Sequence, residues 1–125
     1  MEDTAHQLKI TLRSVKPSVW RRIMVRSDTD LAELAAILEA AMGWLGGHLH
    51  AFETTGARYS SPDPEWPDDD LDERKYRLRD VLPDVGSKLR WDYDFGDGWE
   101  HDVVVEEIGP RQPDVDSPIC LAGSM

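Results

Sequence analysis

Three histidines and one aspartate could meet as a transition-metal site. His48 and His50 are two residues apart and would share one face of a strand. His101 comes shortly after Asp97, and an imidazole set with one carboxylate suits zinc or iron. The alternative is that the histidines are core residues hydrogen-bonded to backbone or carboxylate groups. Both interpretations remain open from the sequence.

The second chemical feature is WDYDFGDGWEHDV, residues 91–103, whose pairing as a hairpin decides which side chains meet. A two-residue loop would set aromatic residues against carboxylates. We therefore predict a three-residue loop, Gly96-Asp97-Gly98, with a left-handed glycine. The cross-strand pairs on one face are then aromatic or apolar: Phe95 with Trp99, Tyr93 with His101, and Trp91 with Val103.

The opposite face of that hairpin would carry carboxylates in direct pairs. Asp92 would lie across from Asp102 and Asp94 across from Glu100, and each like-charge pair destabilises a sheet by about 0.2–1 kcal/mol. Intramolecular cations or solvent could compensate, as could a basic protein partner or a hard divalent cation. The first hairpin offers four such intramolecular cations: Lys9, Arg13, Arg21 and Arg22.

Other familiar catalytic patterns are missing from the sequence. It contains no GxSxG elbow, no GxxxxGK[ST] phosphate loop and no GxGxxG fingerprint. A lone cysteine, Cys120, cannot form an internal disulfide, a zinc ribbon or a redox pair. Any catalysis would therefore depend on carboxylates and histidines.

Hydrophobic periodicity predicts the elements that position these residues. Alternation predicts strands at 6–13, 19–26, about 48–54, 88–95 and 99–108. Helical spacing in LAELAAILEAAMGW predicts one long helix, capped within Ser27–Asp30 and ended by Gly43. A short helical turn is expected around Leu78–Leu82.

The predicted fold class is α+β, with a mixed sheet of about five strands packed on one long helix. The element order resembles the β-grasp, or ubiquitin-like, arrangement. One domain is expected over residues 1–125, with an exposed acidic loop at about 60–73 and an irregular tail at about 109–125.

Charge limits the classes of partner. The net charge of −11 disfavours nucleic acid, whose phosphates a binding protein must neutralise. No apolar run approaches the ~20 residues of a membrane span, and no secretory signal begins the chain. We expect a soluble, cytoplasmic protein that binds another protein and needs no cofactor, with a divalent metal as the less favoured case.

Several stretches together resemble the plasmid pRiA4b ORF-3-like family, whose members are often labelled as insertion-element passenger proteins or resolvases. These stretches are LKITLRSVKPSVWRRIMV, LAELAAILEAAMGWLGGHLHAFE, DERKYRLRDVL and YDFGDGWEHDVVVE. The positions that match the family pattern are Trp20, Arg21, Trp44, His48, His50, Phe52, Tyr93, Asp94, Phe95, Gly96, Asp97, Trp99 and His101.

The resemblance implies an association with mobile elements but no reaction. Nothing in the chain is similar to a serine-recombinase core or a helix-turn-helix. Family members usually continue beyond the segment that resembles Pro118–Gly123, so this chain would be a shortened form or a piece of a longer domain.

Three functions follow as expectations. The first is a small binding or interaction module without catalytic activity. The second is a metal-dependent hydrolase or nuclease that uses His48, His50, Asp97 and His101. The third is a DNA-binding accessory of recombination, which requires the arginines of KPSVWRR to lie on one exposed face.

Overall fold

A mixed β-sheet organises the chain in the computed structural model, which describes residues 4–14, 16–43, 49–61, 69–93, 98–110 and 119–124. Within these ranges there are eight strands: β1 Thr4–Leu12, β2 Trp20–Arg26, β3 His50–Thr54, β4 Ala57–Ser60, β5 Leu71–Asp72, β6 Lys88–Tyr93, β7 Trp99–Pro110 and β8 Ile119–Ser124. Helix α1 spans Leu31–Met42, a 3-10 turn spans Glu73–Lys75, and helix α2 spans Leu78–Val81.

The strand order is β5-β4-β3-β6-β7-β1-β2-β8. Neighbouring strands are antiparallel except β4 and β5, which pair in parallel through Tyr59 with Leu71 and Ser60 with Asp72. The prediction of about five strands packed on one long helix, with its β-grasp likeness, is therefore wrong. The described chain is mostly sheet, and its two α-helices have 12 and 4 residues.

The extra strands explain the error. β4 and β5 have four and two residues, too few for a recognisable alternation of apolar and polar side chains. The predicted acidic loop at 60–73 thus contains β5 and begins the 3-10 turn, whereas residues 62–68 lie outside the described part. The predicted irregular tail at 109–125 contains the end of β7 and all of β8.

The first hairpin and the main helix agree with the sequence. β1 and β2 pair in antiparallel register, Leu8 opposite Ile23, and both side chains are buried. Helix α1 begins after Asp30, whose carboxylate accepts a hydrogen bond from the Glu33 amide at 2.8 Å. It ends at Gly43, whose φ of 79° lies in the left-handed region that favours glycine.

The second hairpin keeps the predicted faces but changes the predicted pairs. Tyr93 lies opposite Trp99 and Trp91 opposite His101, a shift of two residues from the expected register. A shift of two preserves which side chains share a face. The three-residue loop is therefore wrong, because five residues separate Tyr93 from Trp99; Asp94, Phe95, Gly96 and Asp97 lie outside the described residues.

One face of the sheet and α1 enclose the core. The largest fully buried side chains include Trp91 and Phe52 from the sheet and Leu34 and Leu38 from α1. The opposite face, called here the outer face, carries mainly charged side chains. This division places Phe52, Trp91 and Tyr93 in one core with the buried residues of α1.

β8 fits against β2 because Gly123 has no side chain. Gly123 pairs with Arg21, and a Cβ at Gly123 would lie 2.7 Å from Arg21 Cδ and 3.0 Å from the Trp20 carbonyl oxygen. Arg21 thereby crosses β8 closely while Nε donates to the Ala41 carbonyl at 3.0 Å, in the last turn of α1. A guanidinium at this end also complements the helix dipole.

We predict that Gly123→Ala destabilises the protein by about 1–3 kcal/mol, because the added methyl overpacks the Arg21 crossing. Gly109→Ala is the matched control, since a Cβ at Gly109 meets nothing within 4 Å. Urea unfolding of both variants measures the difference. Equal unfolding midpoints for the two variants would contradict this account of the β2–β8 contact.

Candidate functional site

The pairing of β3, β6 and β7 brings the HLHxF and YDFGDxWxH residues together. His50 lies opposite Tyr93, which lies opposite Trp99, in one row across the three strands. The next row contains Phe52, Trp91 and His101. These two rows, together with Glu73, are called here the signature end of the sheet.

A carboxylate–imidazole pair is the polar centre of the signature end. The His50 Nε2–H donates to Glu73 Oε1 at 2.7 Å. The side chain of Glu73 is 4% exposed and that of His50 is 15% exposed. Glu73 begins the 3-10 turn, in which the Asp72 carboxylate accepts from the Arg74 amide and fixes the entry of the chain. The turn therefore holds a buried carboxylate against the first residue of β3.

His50 retains one ring nitrogen for another interaction. Because the carboxylate can only accept, Nε2 carries the hydrogen, and Nδ1 is an acceptor in the neutral ring. No hydrogen-bond partner of Nδ1 lies among the described residues. The His50 and Phe52 rings pack in a T-shaped arrangement, with centroids 5.9 Å apart, which restrains the orientation of His50.

His101, in contrast, is a core residue. It is fully buried, its Nδ1–H donates to the Trp91 carbonyl at 3.1 Å, and its ring lies 4.4 Å from that of Trp91. Burial lowers the pKa of His101, an effect that exceeds the opposing influence of its hydrogen bond. The indole Nε1 of Trp91 is buried without a hydrogen-bond partner in the described part of the chain.

The structure brings some of the predicted metal ligands together and leaves others untested. His50 and His101 occupy adjacent rows of one face, whereas His48, Asp97 and Trp44 lie outside the described residues. Among the residues that are described, no three histidine, cysteine or acidic side chains form a group that could hold a metal. The metal site therefore stays a prediction.

Trp20 and Arg21 lie on opposite faces of β2. Trp20 is on the outer face, where Lys9 Nζ and Arg22 Cζ lie 4.9 Å and 5.1 Å from its ring centroid. Arg22 also forms an ion pair with Glu106, Nε to Oε1 at 2.6 Å. Arg21 points to the covered face and binds backbone carbonyls. The two arginines thus do not share the exposed face that the DNA-binding expectation requires.

Arginines interleave the carboxylates of the outer face. The observed cross-strand pairs are Asp92 with Glu100 and Arg90 with Asp102, so the predicted Asp92–Asp102 and Asp94–Glu100 pairs are wrong. The cause is the two-residue shift in register. The expectation of intramolecular compensation is confirmed for the described carboxylates.

The compensating arginines come from three places. Arg90 on β6 itself contacts Glu53 at 2.8 Å and Asp92 at 3.0 Å. Arg58 on β4 contacts Asp70 at 3.1 Å, and Arg13 after β1 contacts Glu100 at 3.5 Å. Arg13, together with Arg22 on Glu106, belongs to the set expected from the sequence, whereas Arg58 lies on a strand that the sequence did not predict.

Glu73 is the site residue that the sequence analysis missed. It stood at the end of a segment interpreted as an exposed acidic loop, yet it is among the most buried charged residues described. The available signal is that Glu73 lies within DERKYRLRDVL, one of the stretches that match the family pattern.

The comparisons with known proteins agree with this pattern. The model of the family described as plasmid pRiA4b ORF-3-like protein matches residues 4–125. An uncharacterized protein of Sinorhizobium fredii (strain NBRC 101917 / NGR234), y4hQ, is 41% identical over 105 residues, which are 83% of this chain and 54% of that protein. The chain therefore spans about half the length of this relative.

A solved structure has the same fold. It is the crystal structure of the protein of unknown function MM3350 from Methanosarcina mazei Go1, with a TM-score of 0.86 and 31% identity. The match covers 98% of this chain and 71% of that one. In the part of the chain that is described, no helix is long and apolar enough to cross a membrane.

We predict that Glu73→Ala lowers the free energy of unfolding by about 1–3 kcal/mol, because the buried Nε2–H of His50 loses its acceptor. Glu107→Ala, at an exposed position of β7, should change it by less than about 0.5 kcal/mol. The double variant Glu73→Ala/His50→Phe should recover part of the loss. A strictly additive double-mutant cycle in urea unfolding would show that the two side chains do not interact.

The buried His101 makes stability depend on pH. Because its pKa is lower in the folded chain than the unfolded value of about 6.5, the unfolded chain binds more protons as the pH falls. Stability is thus complete above pH ~6.5 and decreases as the pH falls toward the folded pKa. Urea unfolding at pH 7.5 and 5.5 should show a smaller decrease for His101→Gln than for the wild type; an equal decrease would refute the assignment.

Proposed function

The chain belongs to the plasmid pRiA4b ORF-3-like family, and we propose that it is a small binding module whose recognition site is the signature end of the sheet. The observation that carries the proposal is the hydrogen bond between buried Glu73 and His50, whose side chain is 15% exposed. A buried carboxylate–imidazole pair is a poor way to stabilise a fold, since apolar residues of similar volume are often as good or better. The presence of this polar pair where apolar residues would serve stability is the reason to assign the recognition site here.

The surroundings of His50 support recognition of a macromolecule. Trp99 is half-buried in the same row, next to buried Tyr93, and offers an aromatic contact surface. Tryptophan is enriched at the energetic centres of protein interfaces, and Trp99 lies in the same row as His50. The described site thus has an apolar contact and a directional hydrogen bond.

A basic protein is the partner that the charge favours. The net charge of −11 attracts cationic proteins at long range and repels nucleic acid. On the outer face the described arginines are already engaged with carboxylates, as with Arg22 and Glu106. Binding of a basic protein in the cytoplasm, in a host that carries mobile elements, is the setting that we propose for the module.

The metal-dependent hydrolase or nuclease remains the alternative, and one observation favours it. Histidines that bind metals commonly donate their other ring N–H to a carboxylate, as His50 does to Glu73. Further ligands would have to come from His48 and Asp97. Elemental analysis of the purified protein should find no stoichiometric metal; one ion per chain, lost in His50→Ala, would overturn the binding proposal in favour of this alternative.

Affinity capture with matched variants tests the binding proposal. The wild type and Val85→Ala should retain the same basic protein, because Val85 is 60% exposed and precedes β6 at its other end. Trp99→Ala should lose that protein without a change in melting temperature large enough to indicate unfolding. Capture that persists in both Trp99→Ala and His50→Ala, or a captured set that is not basic, would contradict the proposal.

A further inference from the structure

Residues 76–82, which contain α2, are fastened to the loop between β2 and α1. The Leu78 amide donates to the Thr29 carbonyl at 2.8 Å, and the Arg79 amide donates to the Ser27 carbonyl at 3.0 Å. The Leu31 amide donates in the opposite direction, to the Tyr76 carbonyl at 3.0 Å. Leu78 and Leu82 are buried in the core, so this segment closes one side of it.

The ring of His6 on β1 contacts both the loop between β2 and α1 and the end of residues 76–82. Nε2 lies 2.8 Å from the Leu82 carbonyl oxygen, and Nδ1 lies 2.7 Å from Ser27 Oγ. His6 is 1% exposed and Ser27 is 3% exposed. One imidazole therefore connects β1, the loop before α1 and the end of α2.

The hydrogen bonds around His6 run in one direction only. A carbonyl cannot donate, so Nε2 carries the hydrogen, and Nδ1 of the neutral ring accepts from the Ser27 hydroxyl. The Thr4 hydroxyl donates to Ser27 Oγ at 2.7 Å. Thr4 thus donates to Ser27, Ser27 donates to His6, and His6 donates to Leu82. Each of these hydrogens has an acceptor while the ring is neutral.

Protonation of His6 would break this arrangement. A hydrogen on Nδ1 would point at Ser27 Oγ, and the serine hydroxyl would have to turn away from its acceptor. The imidazolium would also be buried without an opposite charge. Consistent with this, burial lowers the pKa of His6 more than the Leu82 hydrogen bond raises it.

No charged group in the described chain forms a hydrogen bond or an ion pair with the His6 ring. In β2, Val25 lies opposite His6, and the next residue, Arg26, forms an ion pair with Asp28. In β7, Ile108 lies opposite His6, beside exposed Glu107. The charged residues of α2 are exposed: Arg79 and Asp80.

We propose that His6 is a pH-sensitive latch, which holds residues 76–82 against the sheet while neutral and releases them when protonated. The inference does not rest on the proposed binding function, since none of the residues that carry it belongs to the signature end. In the open form the hydrogen bond between the Leu82 carbonyl and the His6 ring is broken, and water solvates the imidazolium.

The size of the effect follows from linkage. If the open form exposes His6 with an ordinary pKa of about 6.5, the opening equilibrium constant increases by up to about tenfold per pH unit below that value, until the folded pKa is reached. Above pH ~7 opening should be independent of pH. Release is thus favoured by acid.

Amide hydrogen exchange of the whole chain, followed by NMR between pH 7.5 and 5, measures the opening directly. Protection factors, which remove the intrinsic pH dependence of exchange, should fall with acid at Leu31, Leu78, Arg79 and Leu82. At every pH these amides should be less protected than amides in the β1–β7 ladder, because release of residues 76–82 leaves the sheet folded. Equal protection factors in the two groups would indicate exchange by global unfolding and would overturn the latch.

Two variants identify the histidine responsible. His6→Gln can still donate to Leu82 and accept from Ser27 but does not titrate, so protection of residues 76–82 should become independent of pH. His101→Gln, the matched control at the other buried histidine, should retain the pH dependence. Unchanged pH dependence in His6→Gln would refute the proposal.

A titration of the ring signals in the wild type provides a test that needs no variant. The His6 signals should titrate below pH 6.5, because the closed form disfavours the charged ring. A pKa of 6.5 or above for His6 would exclude the latch even if His6→Gln did not fold.

Discussion

The placement of β6 between β3 and β7 is the constraint on which the rest of the structure depends. β6 brings Tyr93 between His50 and Trp99 and brings Trp91 between Phe52 and His101. The two-residue period of a strand then places every aromatic residue of this set on the covered face. The same pairing sends Arg90 and Asp92 to the outer face, so one register determines both the core and the pattern of surface charge.

Charged and titratable groups are stabilised differently on the two faces of the sheet. On the outer face, carboxylates lie among arginines, and Arg58 and Arg90 each contact more than one carboxylate. These groups are partly exposed, and individual surface pairs of this kind contribute little to stability. On the covered face, Glu73 and the histidines lack such solvation. His50 has a carboxylate partner, whereas His6 and His101 are held by neutral acceptors, which makes them sensitive to protonation.

How much of this could be predicted from the sequence depended on the length of each element. β1, β2, β3, β6, β7 and α1 were predictable because apolar residues recur with a clear period over at least five residues. β4 and β5 are too short for such a period, and the glycine of β8 serves the crossing of Arg21 rather than any local pattern. The alternation of side chains along each strand predicted which residues of the second hairpin share a face. The direct cross-strand pairs depend on the length of the connecting loop, and the Gly-Asp-Gly sequence did not determine that length. Glu73 could not be recognised as buried because its burial results from tertiary contact with β3.

The central claim is that the signature end, rather than the outer face of the sheet, binds a partner. The most direct measurement is an NMR titration of the isotopically labelled chain with a captured basic protein, followed through backbone and side-chain signals. The account predicts that the largest chemical-shift changes occur at the His50 ring, the Trp99 indole and Glu73. Changes concentrated at the Trp20 indole, Lys9 and Arg22, with the His50 and Trp99 signals unmoved, would contradict it.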